Sequence, residues 1–105
     1  MRPMYTARFG DKVRPVLILS FGGQSIGRAN KVTVAGITST IRNLATEVPV
    51  GPGNGLDHDS VVDLLDIQTI RQLDLGRDQI GRLHTNQEQA LHEAIIAAFD
   101  LDVLD

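Results

Sequence analysis

Arginines and hydroxyls carry most of the chemistry that this sequence could support. There is no cysteine, which removes disulfides, thiolate nucleophiles and cysteine-ligated zinc. The histidines, His58, His84 and His92, are isolated and show no i, i+4 pairing for a metal. His58 sits between Asp57 and Asp59, a trio that would suit a loose cation site but reads as a solvated turn. His58-Asp59-Ser60 is no catalytic triad, because neighbours in sequence do not assemble that geometry. Gly22-Gly23 and Gly27 are not followed by Gly-Lys-Ser/Thr and lack dinucleotide-fold spacing. Arg14 stands directly before Pro15 and an apolar run, and Thr38-Ser39-Thr40 closes a later one. On residue type alone, Arg14 suits a rim guanidinium or a partner for an acid, and the hydroxyls suit a turn.

The charges are unevenly distributed. Residues 1–46 carry Arg2, Arg8, Lys12, Arg14, Arg28, Lys31 and Arg42 against Asp11 alone, a net +6. Residues 47–105 sum to −9, although the whole chain is only −3. Such a split hints at an anionic partner for the first half. Equally, two halves that interleave in the fold would neutralise each other. With one Tyr, three Phe and no Trp, a broad base-stacking surface is not expected.

The elements that must position these groups are mostly strands. With 105 residues and 42% hydrophobic content, the chain is expected to be a single domain over residues 1–105. No apolar run approaches the roughly 20 residues that span a bilayer. Met1-Arg2-Pro3-Met4-Tyr5 lacks the apolar core of a signal peptide, so a cytoplasmic protein is expected.

Val16-Leu17-Ile18-Leu19 has the continuous apolar character of a strand buried on both faces, with Pro15 at its entrance. A loop over Phe21–Gly27 follows, and Lys31–Ile37 resumes β character. Thr46–Val50 reads as an edge strand because of Pro49, and Gly51–Gly55 as a strong turn. Ser60–Leu65, Ile67–Ile70 and Gln79–Leu83 read as further strand, with a short helical turn near Arg71–Leu73. Thr85 and Glu88 have the spacing of a capping box. A helix follows, with Leu91, Ala94, Ile95, Ala98 and Phe99 on its docking face and His92 pointing away. Many short strands closing with one helix predict a mainly β fold with appended helices (α+β), a small β-barrel.

Several segments occur in a telling order. Val13-Arg14-Pro15-Val16-Leu17-Ile18-Leu19-Ser20 precedes Val34-Ala35-Gly36-Ile37-Thr38-Ser39, then Leu44-Ala45-Thr46-Glu47-Val48. Gly55-Leu56 with Asp59-Ser60-Val61-Val62 comes next, then Ile67-Gln68-Thr69-Ile70 and Ile80-Gly81-Arg82-Leu83. From about Gly10 onward this set resembles the MazF/PemK toxins, ribonucleases of bacterial toxin–antitoxin pairs. The resemblance implies an SH3-like, CcdB/MazF-type β-barrel with a C-terminal helix, acting as a homodimer. It implies sequence-selective cleavage of single-stranded RNA, messenger RNA foremost, without metal or other cofactor. It also implies restraint by a cognate MazE-like antitoxin whose acidic, partly disordered tail orders in a basic groove.

The family's catalytic arginine corresponds to Arg14 and its catalytic hydroxyl to Thr38. RNA carries its own nucleophile, the 2′-OH, whose attack on phosphorus leaves a 2′,3′-cyclic phosphate and a 5′-OH. A guanidinium suits the added charge on phosphorus, because its fork binds two oxygens and keeps its charge. A threonine hydroxyl can donate to a phosphoryl or leaving oxygen. Arg8, Lys12, Arg28, Ser39, Arg42 and Gln68 are candidate RNA contacts, and Glu47 is a candidate general base.

Two departures from the family pattern stand out. Pro3 occupies the usual first strand and predicts a late start for it, and the usual long first loop shrinks to Arg8–Lys12. The alternative is a non-catalytic module on the same fold, a CcdB-like gyrase poison or an antitoxin-binding relic.

Overall fold

The structure is a computed structural model that describes residues 2–20 and 30–101. Arg28 and the expected Phe21–Gly27 loop lie outside the described residues. Six strands form one antiparallel sheet: β1 (Arg2–Phe9), β2 (Lys12–Ile18), β3 (Lys31–Thr38), β4 (Glu47–Val50), β5 (Ser60–Arg71) and β6 (Gly81–Leu83). Their order is β4-β5-β3-β2-β1-β6, which curls into a nearly closed barrel. Short 3-10 turns at Pro52–Asn54, Gln72–Asp74 and Thr85–Gln87 precede the helix α1 (Glu88–Ala98). No described helix is long and apolar enough to cross a membrane.

Hydrophobic patterning explains why the sheet folds on itself. Along β2, Leu17 faces the core that also holds Met4, Ile37, Val62, Leu64, Leu83 and Leu91. Its neighbours Val16 and Ile18 face a second core with Ala7, Val32 and Val34. The strand is thus buried on both faces, as its unbroken apolar run predicts. Each fully buried Leu or Met removed from water contributes about 1.5–3 kcal/mol. Helix α1 covers the first core with Leu91 and Ala94, while Ile95 and Ala98 pack at its margin.

Several expectations need correction. Arg8–Lys12 is not a loop: β1 and β2 pair through Phe9↔Lys12, leaving only Gly10-Asp11 as a turn. Gly10 takes φ 66°, which favours glycine. Pro3 does not delay β1, which starts at Arg2 and pairs with β6 through Arg2↔Leu83 and Pro3↔Arg82. Pro15 lies inside β2 rather than at its entrance. It is tolerated because residues before Val16 pair with β1 but not with β3.

The two strand segments at 60–65 and 67–70 are one strand. Its register against β3 jumps between Ala35↔Ile67 and Gly36↔Asp63, so β5 bulges there. Phe99 is not part of the docking face. It caps the end of α1 and is exposed.

The helix entry also differs. The Gln87 Oε1 accepts the His84 N–H at 2.9 Å, whereas Glu88 forms an ion pair with Arg2 at 3.3 Å. Arg2 also donates to the Leu19 carbonyl at 2.6 Å. That contact joins the basic first half to the acidic second half.

Between the edge strands β4 and β6, the barrel is stitched by one buried amide. Asn54 accepts the Gly51 N–H at 3.0 Å and donates to the Arg82 carbonyl and to Gln87 Oε1 at 3.0 and 2.7 Å. Gly81 faces the Asn54 carbonyl so closely that a Cβ there would overlap it.

Candidate active site

The site forms where β2 and β3 part. Their ladder runs from Ile18↔Val34 to Val16↔Gly36 and then stops. Carrying that register two residues further sets Arg14 opposite Thr38. Each is held on its outer side, Arg14 by β1 through Ala7↔Arg14 and Thr38 by β5 through Val61. Their inner sides open into a cleft of about 650 Å³.

Val13, Arg14, Pro15, Ile37, Thr38 and Ser39 line one part of that cleft. Gly55, Leu56, Asp57, His58 and Ser60 line another, with Thr6 and Ile80. The bulky apolar members give it walls, and Arg14, Thr38, Ser39, Asp57 and His58 give it polar groups that converge. The Oγ1 of Thr38 accepts the Thr40 N–H at 3.1 Å, which orients the oxygen and leaves its own proton available for donation. Arg14 is exposed and, among the described residues, is in neither ion pair.

A second cavity of about 260 Å³ shares Arg14, Pro15, Gly36, Ile37 and Thr38 and adds Phe9, Thr40, Arg42, Asp63 and Asp66. Asp63 accepts the Leu65 N–H at 3.0 Å, and Asp66 accepts from Gln68 Nε2 at 3.3 Å. Each of these described cavities therefore holds carboxylates as well as guanidinium. A uniformly basic groove is not what this single chain presents.

The remaining candidates separate. Ser39 lines the main cleft and Arg42 the second cavity. Arg8 and Lys12 are exposed near the β1–β2 turn, and Gln68 is exposed on β5, none of them lining either cavity.

Glu47, the candidate general base, does not face the cleft lined by Arg14 and Thr38. It is only 9% exposed, and its Oε1 accepts the N–H groups of Arg42 and Leu44 at 3.1 and 3.4 Å. It lines a separate cavity with Ile41, Asn43 and Leu44. Its carboxylate closes the 40–46 loop, and the general-base assignment loses its geometric basis.

His58, set aside in the sequence as a turn residue, instead lines the cleft with Arg14 and Thr38. No local signal reveals this, because the cleft is assembled from separate segments, with His58 lying 20 residues from Thr38 and 44 from Arg14 in sequence. Among the described residues no group of three or more His, Asp or Glu side chains is placed to hold a metal ion.

A family model described as PemK-like, MazF-like toxin of type II toxin–antitoxin system matches residues 4–99. The chain belongs to this toxin family. It is 55% identical over 104 residues to Endoribonuclease MazF3 of Mycobacterium tuberculosis (strain CDC 1551 / Oshkosh), covering 97% of this chain and 96% of that relative. The M. tuberculosis toxin MazF-mt6 shares its fold with a TM-score of 0.87 and 53% identity, over 97% of this chain and all of that one (100%). An endoribonuclease from a mycobacterial species, solved with its cognate antitoxin, matches with a TM-score of 0.82 at 24% identity. That match covers 97% of this chain and 95% of the other. The chain is thus a homologue of an endoribonuclease toxin along nearly its whole length, on the β-barrel fold of the MazF toxins.

Proposed function

We propose that the protein is an endoribonuclease toxin that cleaves single-stranded RNA, messenger RNA foremost, at preferred sequences. The observation that carries this reading is the shared cleft of Arg14 and Thr38 in a chain of this family. In it, the phosphate at the scissile bond sits between the two. Arg14 binds its non-bridging oxygens and offsets the charge that builds as the 2′-oxygen attacks. The Thr38 hydroxyl, held by the Thr40 N–H, donates to the same phosphoryl group. Its products are a 2′,3′-cyclic phosphate and a 5′-OH, and the reaction needs no metal because the guanidinium supplies the positive charge.

Ser39 and Arg42 lie beside this phosphate position and suit contacts to flanking nucleotides. Arg8, Lys12 and Gln68 are retained as more peripheral RNA contacts, and Arg28, outside the described residues, as a further candidate contact. The toxin works as a cytoplasmic homodimer and is silenced by a MazE-like antitoxin. The acidic, partly disordered tail of that partner orders over the cleft and excludes RNA. An affinity for the antitoxin that stays constant as salt rises would contradict this picture.

The test uses purified protein and end-labelled single-stranded RNA in EDTA. Cleavage leaving cyclic-phosphate ends is expected. Intact RNA, or cleavage that requires an added divalent ion, would overturn the proposal.

A further inference from the structure

Attack by the 2′-OH requires that its proton be taken up, and neither Arg14 nor Thr38 does this well. A guanidinium stays charged and has no free lone pair at ordinary pH. The Thr38 oxygen already accepts the Thr40 N–H. Glu47 is committed to the backbone of its own loop. Asp63 and Asp66, in the adjoining cavity that shares Arg14 and Thr38, already accept the Leu65 N–H and Gln68 Nε2; in the main cleft the described side chains able to accept a proton readily are Asp57 and His58.

We infer that His58 is the general base of this cleft, an assignment that rests on the endoribonuclease reading above. His58 lines the cleft from the β4–β5 connection, while Arg14 and Thr38 line it from β2 and β3. The backbone of that connection is fixed by a 3.1 Å hydrogen bond from Ser60 Oγ to the His58 carbonyl. The imidazole is exposed to solvent, which lets it exchange its proton after each turnover. As a side-chain type, imidazole is also the better match for proton transfer near neutrality than a carboxylate.

The charged groups lining the cleft with it are Arg14 from β2 and Asp57 on its own segment; Asp59 follows it in sequence, and Arg42, Asp63 and Asp66 line the adjoining cavity. The step balances without a further reactant. An imidazole nitrogen takes the 2′-OH proton as the O2′–P bond forms. The P–O5′ bond breaks, the departing oxygen takes a proton from water, and His58 later releases its proton to solvent.

Single-turnover cleavage by wild type and His58→Gln, followed across about pH 5 to 8, tests the assignment. The variant is expected to cleave about 10²–10⁴-fold more slowly and to lose the fall in rate on the acid side. Its affinity for a 2′-deoxy oligonucleotide should stay close to wild type, and its melting temperature should not move. Imidazole added to His58→Gly should restore part of the rate. Cleavage by His58→Gln at close to the wild-type rate would overturn the inference, as would a slower rate with an unchanged acid limb. Wild-type protein that leaves RNA intact would remove the endoribonuclease reading and the base together. Normal wild-type cleavage beside an active His58→Gln removes the base alone.

Discussion

Arg14 and Thr38 line one cleft, each two residues beyond the last β2–β3 pair, Val16↔Gly36, where the ladder ends. The neighbouring strands β1 and β5 keep each residue in place from outside while the space between them stays open. In the proposed reaction the guanidinium and the hydroxyl would meet one phosphate from two rigid strands, as stabilising charge without reorganisation requires.

In the proposed mechanism the hydroxyl is the functional part of Thr38. Thr38→Val, nearly isosteric, should slow single-turnover RNA cleavage about 10²-fold, the range expected for losing one transition-state donor. Its stability should change little, because the exposed Thr40 N–H can turn to water. Thr38→Ser should retain most of the activity. Equal rates for Val and Ser variants would show that the oxygen takes no part.

Glu47 should behave as a structural group. Glu47→Ala exposes the Arg42 and Leu44 N–H groups to loss of a charged acceptor and should cost about 1.5–3 kcal/mol, read as a lower denaturation midpoint. Glu47→Gln keeps a carbonyl acceptor and should cleave RNA at close to the wild-type rate per folded molecule. A large fall in cleavage by a stably folded Glu47→Gln would restore Glu47 as a candidate base.

Gly81 is where β6 meets the Gly51–Gly55 segment that closes the barrel. A methyl group there overlaps the backbone carbonyl of Asn54 and crowds Met4. Gly81→Ala should therefore destabilise by about 1–3 kcal/mol, the usual cost of overpacking. Thermal melting reports it, and an unchanged melting temperature would mean that the seam yields easily.

What could be read from the sequence was what short-range physics decides. The Val16–Ile18 run announces a doubly buried strand, and Pro49 marks an edge that β4 indeed occupies. Leu91 and Ala94 give the helix its inward stripe. The errors come from distant partners. Glu88 has the spacing to cap its helix, but Arg2, 86 residues away, engages it, and Gln87 caps His84 instead. Glu47 looks like surface until a loop folds its N–H groups onto it. The β5 bulge is a matter of register between strands, invisible in β5 alone.

The candidate site divides in the same way. Arg14 and Thr38 came into view through an ordered resemblance, and the register of β2 and β3 then set them on one cleft. His58 carried no such signal, because its relevance depends on a connection between β4 and β5 reaching residues of β2 and β3.

The central claim is that Arg14 and Thr38 act on one phosphate, and a double-mutant cycle on RNA cleavage tests it most directly. Single-turnover rates would be measured for wild type, Arg14→Ala, Thr38→Val and the double variant, in EDTA, on one single-stranded RNA. The account predicts that each single variant is slowed by about 10²–10³-fold, and that the double variant is far faster than the product of the two losses. An Arg14→Ala protein that cleaves as fast as wild type, or losses that simply multiply, would contradict it.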